Sequence, residues 1–201
     1  MPFPDSHPEQ RNAIRRRLLR ARRGVDDVTR QAFRAATVEF ACTDARIRRA
    51  RSVAVYSAMP TEAPTDALIR TLWQQGKRVY LPTVRGRRMR FVRHTPGAPL
   101  FRRGLGMHEP RGRWLPSSRQ LDVVFLPLAG FDLHGNRLGL GGGYYDRALA
   151  ACRTRRSWRR PRLIGLAFTV QGVDQLPAAV HDVPLHAVVT ELGSIEFPVS
   201  G

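Results

Sequence analysis

The run "DVVFLPLAGF", residues 122–131, constrains the fold more than any other stretch, because it is almost unbroken apolar sequence after Asp122. A strand with one wet face alternates apolar and polar residues. A continuous run is expected where both faces are buried, as in a parallel sheet covered on each side. Parallel strands need long crossovers, usually helical, and the chain offers one. "SVAVYS" (52–57) and "RVYLP" (78–82) are β-rich, and between them Ala67, Leu68, Leu72 and Trp73 follow a helical period. Thr65 is placed to cap that helix and Gly76 to stop it. Strand, helix and strand within about thirty residues make a βαβ unit.

Other segments extend the pattern. Residues 9–23 and 25–41 read as helices divided by Gly24, the first carrying a narrow stripe of Ile14, Leu18 and Leu19. "MRFVRH" (89–94), "LIGLAF" (163–168) and "HAVVTE" (186–191) read as strands, and "YYDRALAACR" (144–153) as a helix. Residues 95–120, with Pro96, Pro99, Pro110 and Pro116, read as loop. The expectation is one domain over residues 1–201, a three-layer α/β/α arrangement around a mostly parallel central sheet.

Composition narrows the function. The only cysteines, Cys42 and Cys152, have no metal-ligand spacing around them, which argues against a zinc site or a disulfide framework. No apolar run approaches the roughly 20 residues that span a bilayer, and the first residues lack the apolar core of a secretory signal. No membrane association and a cytoplasmic location are therefore expected. The net charge of +18 favours anionic partners. A nucleic-acid-binding protein is one alternative, but aromatics are not interleaved with the arginines and no recognised nucleic-acid motif is present.

"GNRLGLGGGYYDRAL" (135–149) is the segment with the most chemistry in it. Gly139, Gly141, Gly142 and Gly143 follow the most buried-looking strand and precede a helix. Ligands of open α/β sheets bind at such positions. Glycines admit a phosphate close to the backbone, and a helix start offers free N–H groups. A ligand-free turn would also use glycines. The run matches neither the P-loop nor the dinucleotide fingerprint. Asp146 is the odd residue: in the first helical turn it gains about 0.3–1 kcal/mol from the helix dipole. A phosphate at the same place would repel it by roughly 4 kcal/mol at about 4 Å and an effective dielectric near 20. Repulsion wins unless a cation lies between them, so a cradle here requires Mg²⁺. Asp182 is a candidate second carboxylate or a plain loop aspartate. Arg137 is a candidate phosphate clamp or a surface arginine. Of Tyr144 and Tyr145, about 100° apart on a helix, one can face a ligand while the other packs.

Arg137 to Asp146 fit R-L-G-x-G-x-G-Y-Y-D at every fixed position. In this the chain resembles the 5-formyltetrahydrofolate cyclo-ligase family, also called methenyltetrahydrofolate synthetases. The resemblance extends to basic residues four apart in the first helix (Arg11 and Arg15), to a glutamate ahead of a helix-starting threonine (Glu62 and Thr65), to "GLGMHEP" (104–110) and to "HDVPLHAVVTE" (181–191). It implies ATP- and Mg²⁺-dependent conversion of 5-formyltetrahydrofolate, which could carry a polyglutamate tail, to 5,10-methenyltetrahydrofolate. ADP and phosphate are released. Implied ATP contacts are Arg11, Arg15, Arg137, Gly139, Gly141, Gly142, Gly143, Tyr144 and Tyr145. Implied substrate contacts are Glu62 at the pterin, Ser57 and Tyr144; implied Mg²⁺ ligands are Asp146 and Asp182. A monomer with no specific nucleic-acid partner is expected. Some members carry basic residues in the glycine stretch where this chain has Leu140 and Gly142. A related ATP-dependent enzyme acting on another small anion is a further alternative.

Overall fold

The computed structural model describes residues 8–103, 106–150, 161–177 and 182–198. Two helices open the chain, α1 (Pro8–Arg23) and α2 (Asp27–Thr43), followed by the short α3 (Ala45–Arg49). The βαβ unit follows as β1 (Ser52–Ala54), α4 (Asp66–Gln74) and β2 (Arg78–Arg85), with β1 and β2 parallel. β3 (Arg88–Arg93) returns antiparallel to β2. A hairpin of β4 (Leu100–Arg102) and β5 (His108–Pro110) falls within the segment read as loop. The chain continues through β6 (Val123–Pro127), β7 (Gly130–Asp132), β8 (Arg137–Leu138) and α5 (Tyr144–Leu149). It then forms β9 (Arg162–Leu166), β10 (Gly172–Val173), β11 (Ala187–Thr190) and β12 (Gly193–Glu196).

The main sheet has seven strands in the order β12-β11-β9-β6-β1-β2-β3. Its five inner strands are parallel, and the two edge strands, β12 and β3, run antiparallel to their neighbours. The two-residue period of a strand sorts the apolar side chains to two faces. Val53, Val79, Val123, Phe125, Ile164 and Val189 join Phe33 and Phe40 of α2 and Leu68 and Leu72 of α4 in one core. Ala54, Tyr80, Val124, Leu126, Leu163 and Val188 join Leu149 of α5 in the other. This is the mostly parallel α/β architecture that the apolar run demanded. The second outer layer is thinner than expected. Among the described residues it has the six-residue α5, helped by Leu128, Phe131 and Leu185.

Three local expectations change. The run 122–131 is not one strand: it leaves the main sheet after Pro127 and enters a second sheet, ordered β10-β7-β8, at Gly130. Buried carbonyls at the break must find donors, and Gln171 Nε2 supplies them, to Leu128 O at 2.9 Å and Ala129 O at 3.1 Å. Consequently the glycine stretch follows β8, not the central β6. Thr65 precedes α4 but does not cap it; its hydroxyl donates to Tyr56 O at 2.7 Å. Residues 151–153 of the helix expected over 144–153, residues 104–105 and His181 lie outside the described residues.

Candidate active site

The small sheet aims the first functional side chain. Asp132, fully buried, accepts hydrogen bonds from the backbone N–H of His134, Asn136 and Leu176, and from Asn136 Nδ2. That closes the β7–β8 turn and delivers Arg137 inward at 3% exposure. Arg137 Nε donates to Val183 O at 3.0 Å, and its Nη2 pairs with Asp146 Oδ1 in the first turn of α5. The arginine read as a clamp or a surface residue is thus a buried cation with a carboxylate partner.

Gly141 and Gly143 have φ of +108° and +60°, where a side chain is strained. Gly142 is required for another reason: a Cβ there would come 2.7 Å from the Tyr144 ring. A Cβ on Gly139 would meet only ordinary contacts, 3.7 Å from Arg137 Nη1 and 3.9 Å from Asp146 Oδ2. Gly139 therefore sits beside the ion pair, and Asp146 Oδ2 faces the glycine loop.

Helix α1 approaches the loop from outside. Arg11 and Arg15 are one turn apart and so share a face. Arg15 Nε donates to Gly139 O at 2.8 Å. Burial lowers its affinity for the proton, as does the like charge of Arg11, while Asp182 opposes both. Arg11 grips Asp182 through both oxygens, at 2.8 and 3.1 Å, and also donates to Pro177 O.

A cavity of about 300 Å³ opens beside the loop. One wall is Arg137, Gly139, Gly142, Gly143 and Asp146; Tyr144 and Tyr145 both line it, although the sequence reading allowed for one of them to pack elsewhere. Tyr56, Ser57, Met59 and Glu62 also line it, together with the apolar side chains of Pro82, Val84, Met89 and Met107. Arg11, Arg15 and Asp182, and Gly141 of the loop itself, are not among the residues that line the cavity. Glu62, 4% exposed, accepts from Met59 N–H at 2.9 Å. Burial pushes its carboxyl above the usual range, opposed by that hydrogen bond and by Arg22. Burial also pushes the Tyr56 and Tyr145 phenols up, so both remain protonated donors.

The donor set fits a magnesium ion at one carboxylate. Mg²⁺ takes one or two carboxylates together with phosphate oxygens and waters, and Asp146 Oδ2 faces the loop where a phosphate would lie. Asp182 has both oxygens on Arg11, which leaves it behind that arginine. Among the described residues no three His, Cys, Asp or Glu side chains cluster as a metal cage. Sequence reasoning missed Met59, Met89 and Met107 as cavity residues, since strand and loop apolar residues carry no signature of lining, and missed His108, which it held only as part of the segment 104–110. It also missed Arg147, which arches back to donate to Gly142 O at 2.8 Å, its guanidinium 5.1 Å from the Tyr144 ring centre.

The 5-formyltetrahydrofolate cyclo-ligase family model matches residues 7–191. The chain belongs to that family. It is 33% identical over 189 residues to the 5-formyltetrahydrofolate cyclo-ligase of Haemophilus influenzae, covering 90% of this chain and 97% of the relative. It is 40% identical over 149 residues to that of Escherichia coli, covering 70% and 78%. A solved structure of the Aquifex aeolicus 5,10-methenyltetrahydrofolate synthetase superposes with a TM-score of 0.79 at 25% identity, covering 95% of this chain and 94% of that one. As a member of the cyclo-ligase family the chain is an enzyme, a ligase of folate one-carbon metabolism. No helix among the described residues is long and apolar enough to cross a membrane.

Proposed function

We propose that this chain converts 5-formyltetrahydrofolate to 5,10-methenyltetrahydrofolate with consumption of ATP and release of ADP and phosphate. It does so as one domain over residues 1–201, acting as a cytoplasmic monomer, and a polyglutamylated folate is also a substrate. The supporting observation is that one cavity is lined both by a buried carboxylate, Glu62, and by the glycine loop with Arg137 and Asp146. The apolar side chains of Pro82, Val84, Met89 and Met107 in the same lining suit a flat heteroaromatic ring.

In this reading the pterin N–H edge meets Glu62, with Ser57 beside it. The phosphates of ATP lie on the backbone of Gly139 and Gly141 to Gly143, facing Arg137, with Arg11 and Arg15 reinforcing the positive field from behind. Tyr144 and Tyr145 sit between nucleotide and folate. Mg²⁺ would be held by Asp146 and would neutralise phosphate charge when bound, while Asp182, the second carboxylate expected from the sequence, holds Arg11. The formyl oxygen attacks the γ-phosphorus, the bond to ADP breaks, and ADP leaves. N10 then attacks the activated formyl carbon and loses its proton, and the carbon–oxygen bond breaks to release phosphate. The protein's part is positioning and charge stabilisation, as in other phosphoryl transfers. Nucleic acid would bind only without sequence preference, through counterion release, and weaken steeply with salt.

An omission series tests the proposal. The methenyl chromophore is expected only when 5-formyltetrahydrofolate, ATP and Mg²⁺ are present together. Folded protein that forms none under the complete condition would sink it.

A further inference from the structure

The last turn of α1 carries a guanidinium that its place in the helix does not explain. Arg22 is 6% exposed, and its Nε has no hydrogen-bond partner among the described residues. Its Nη2 donates to the Thr61 hydroxyl at 3.3 Å. A cation near a helix C-terminus is favoured by the dipole, but that gain is available at the surface. Burying a group that never loses its charge is unfavourable unless an opposite charge is near. The residue after Thr61 is Glu62, itself buried.

The turn around Glu62 is closed on itself. Glu62 N–H donates to Met59 O at 2.8 Å while its Oε2 accepts from Met59 N–H at 2.9 Å. That turn presents the carboxylate to the cavity. We propose that Arg22 is a positioning residue: anchored on the Thr61 hydroxyl, it lies beside the Glu62 turn and favours the charged form of the carboxylate that meets the folate. The inference rests on the assignment of Glu62 to the pterin.

Among the described residues, Arg22 from α1, Tyr56 after β1 and Tyr145 from α5 interact with the Glu62 carboxylate, and Arg30 from α2 reaches its main-chain carbonyl. Both phenols stay neutral because burial pushes them up. Arg30 is committed to the main-chain carbonyls of Val25 and Glu62 and lies over the Phe168 ring. Arg22 is the cation whose field favours the carboxylate against the burial that pushes it up.

The experiment is the pH dependence of kcat/KM for 5-formyltetrahydrofolate at saturating ATP, for the unchanged chain, Arg22→Met, Arg22→Lys, Thr61→Val and Glu62→Gln. Folate use should fall on the acid side as Glu62 takes up a proton. In Arg22→Met that acid limb should move to higher pH by about one pH unit, with activity recovering above it and the KM for ATP unchanged. Arg22→Lys should return the limb toward its original place, and Thr61→Val should move it part of the way. An unmoved limb in Arg22→Met, or a loss equal at every pH, would overturn the proposal. If Arg22→Met does not fold, an unmoved limb in Thr61→Val overturns it equally. A Glu62→Gln variant with unchanged folate KM would remove the pterin assignment and this inference with it. Absence of methenyl product from the unchanged chain would instead defeat the proposed function.

Discussion

At Asp146 the sequence offered a helix-end charge worth about 1 kcal/mol at most, and the structure adds a buried partner, Arg137. Replacing it by Asn therefore leaves a buried guanidinium without its counter-charge, though Val183 O remains bonded. We expect Asp146→Asn to cost about 1–3 kcal/mol in unfolding free energy, to raise the Mg²⁺ concentration needed for half-maximal rate, and to cut turnover by orders of magnitude. Mg²⁺ titration beside a denaturant curve checks both parts; near-normal turnover with unchanged metal dependence would reduce Asp146 to a structural ion pair. Glu62 carries the opposite balance. Its folded carboxyl is pushed above the usual range by burial, so between the ordinary and the raised value the folded state binds more protons than the unfolded one. Stability then falls as pH rises through that window. Glu62→Gln should accordingly remove that pH dependence, so that the melting temperature of the variant, which also loses the counter-charge of Arg22, varies less between about pH 4 and neutrality than that of the unchanged chain. It should also raise the folate KM with little change for ATP. An unaltered pH dependence of the melting temperature would contradict that reading.

At the scale of elements, much was legible because local pattern and burial agree. The βαβ unit, β9 and β11 follow from runs whose two faces are both covered, and the glycine stretch does precede a helix that starts at Tyr144. What escaped was decided by distant partners. The break after β6 depends on Gln171, more than forty residues further on; Thr65 is drawn from its capping role by Tyr56 O. The β4–β5 hairpin is pinned by Glu109, which accepts from Thr83 Oγ1 at 2.7 Å and Val84 N at 3.0 Å. No local period announces such contacts. The loop itself gives a prediction that belongs to this scale. Gly142→Ala would place its Cβ against the Tyr144 ring, so the ring or the loop has to shift. We expect the KM for ATP to rise about tenfold or more, since small misplacements of a phosphate cradle are costly, with the melting temperature nearly unchanged. Steady-state kinetics beside a thermal melt decides it, and an unaltered ATP KM would detach Tyr144 from the loop's function.

For the whole molecule, the net charge of +18 had two readings, and the site gives part of that charge a local use. Arg11, Arg15 and Arg137 surround the glycine loop, each held by a carbonyl or a carboxylate. The charge alone signalled an anionic ligand; the family resemblance singled out these three arginines, and the fold shows the bonds that hold them. The central claim is that one cavity, lined by Glu62 and by the glycine loop, brings the formyl oxygen of the folate to the γ-phosphate of ATP. The most direct measurement uses substrate carrying a heavy-oxygen label in the formyl group, followed by mass analysis of the released phosphate. The account predicts one label in each phosphate released, because the formyl oxygen becomes the bridging oxygen before the ring closes. Unlabelled phosphate, with the label in water instead, would contradict it.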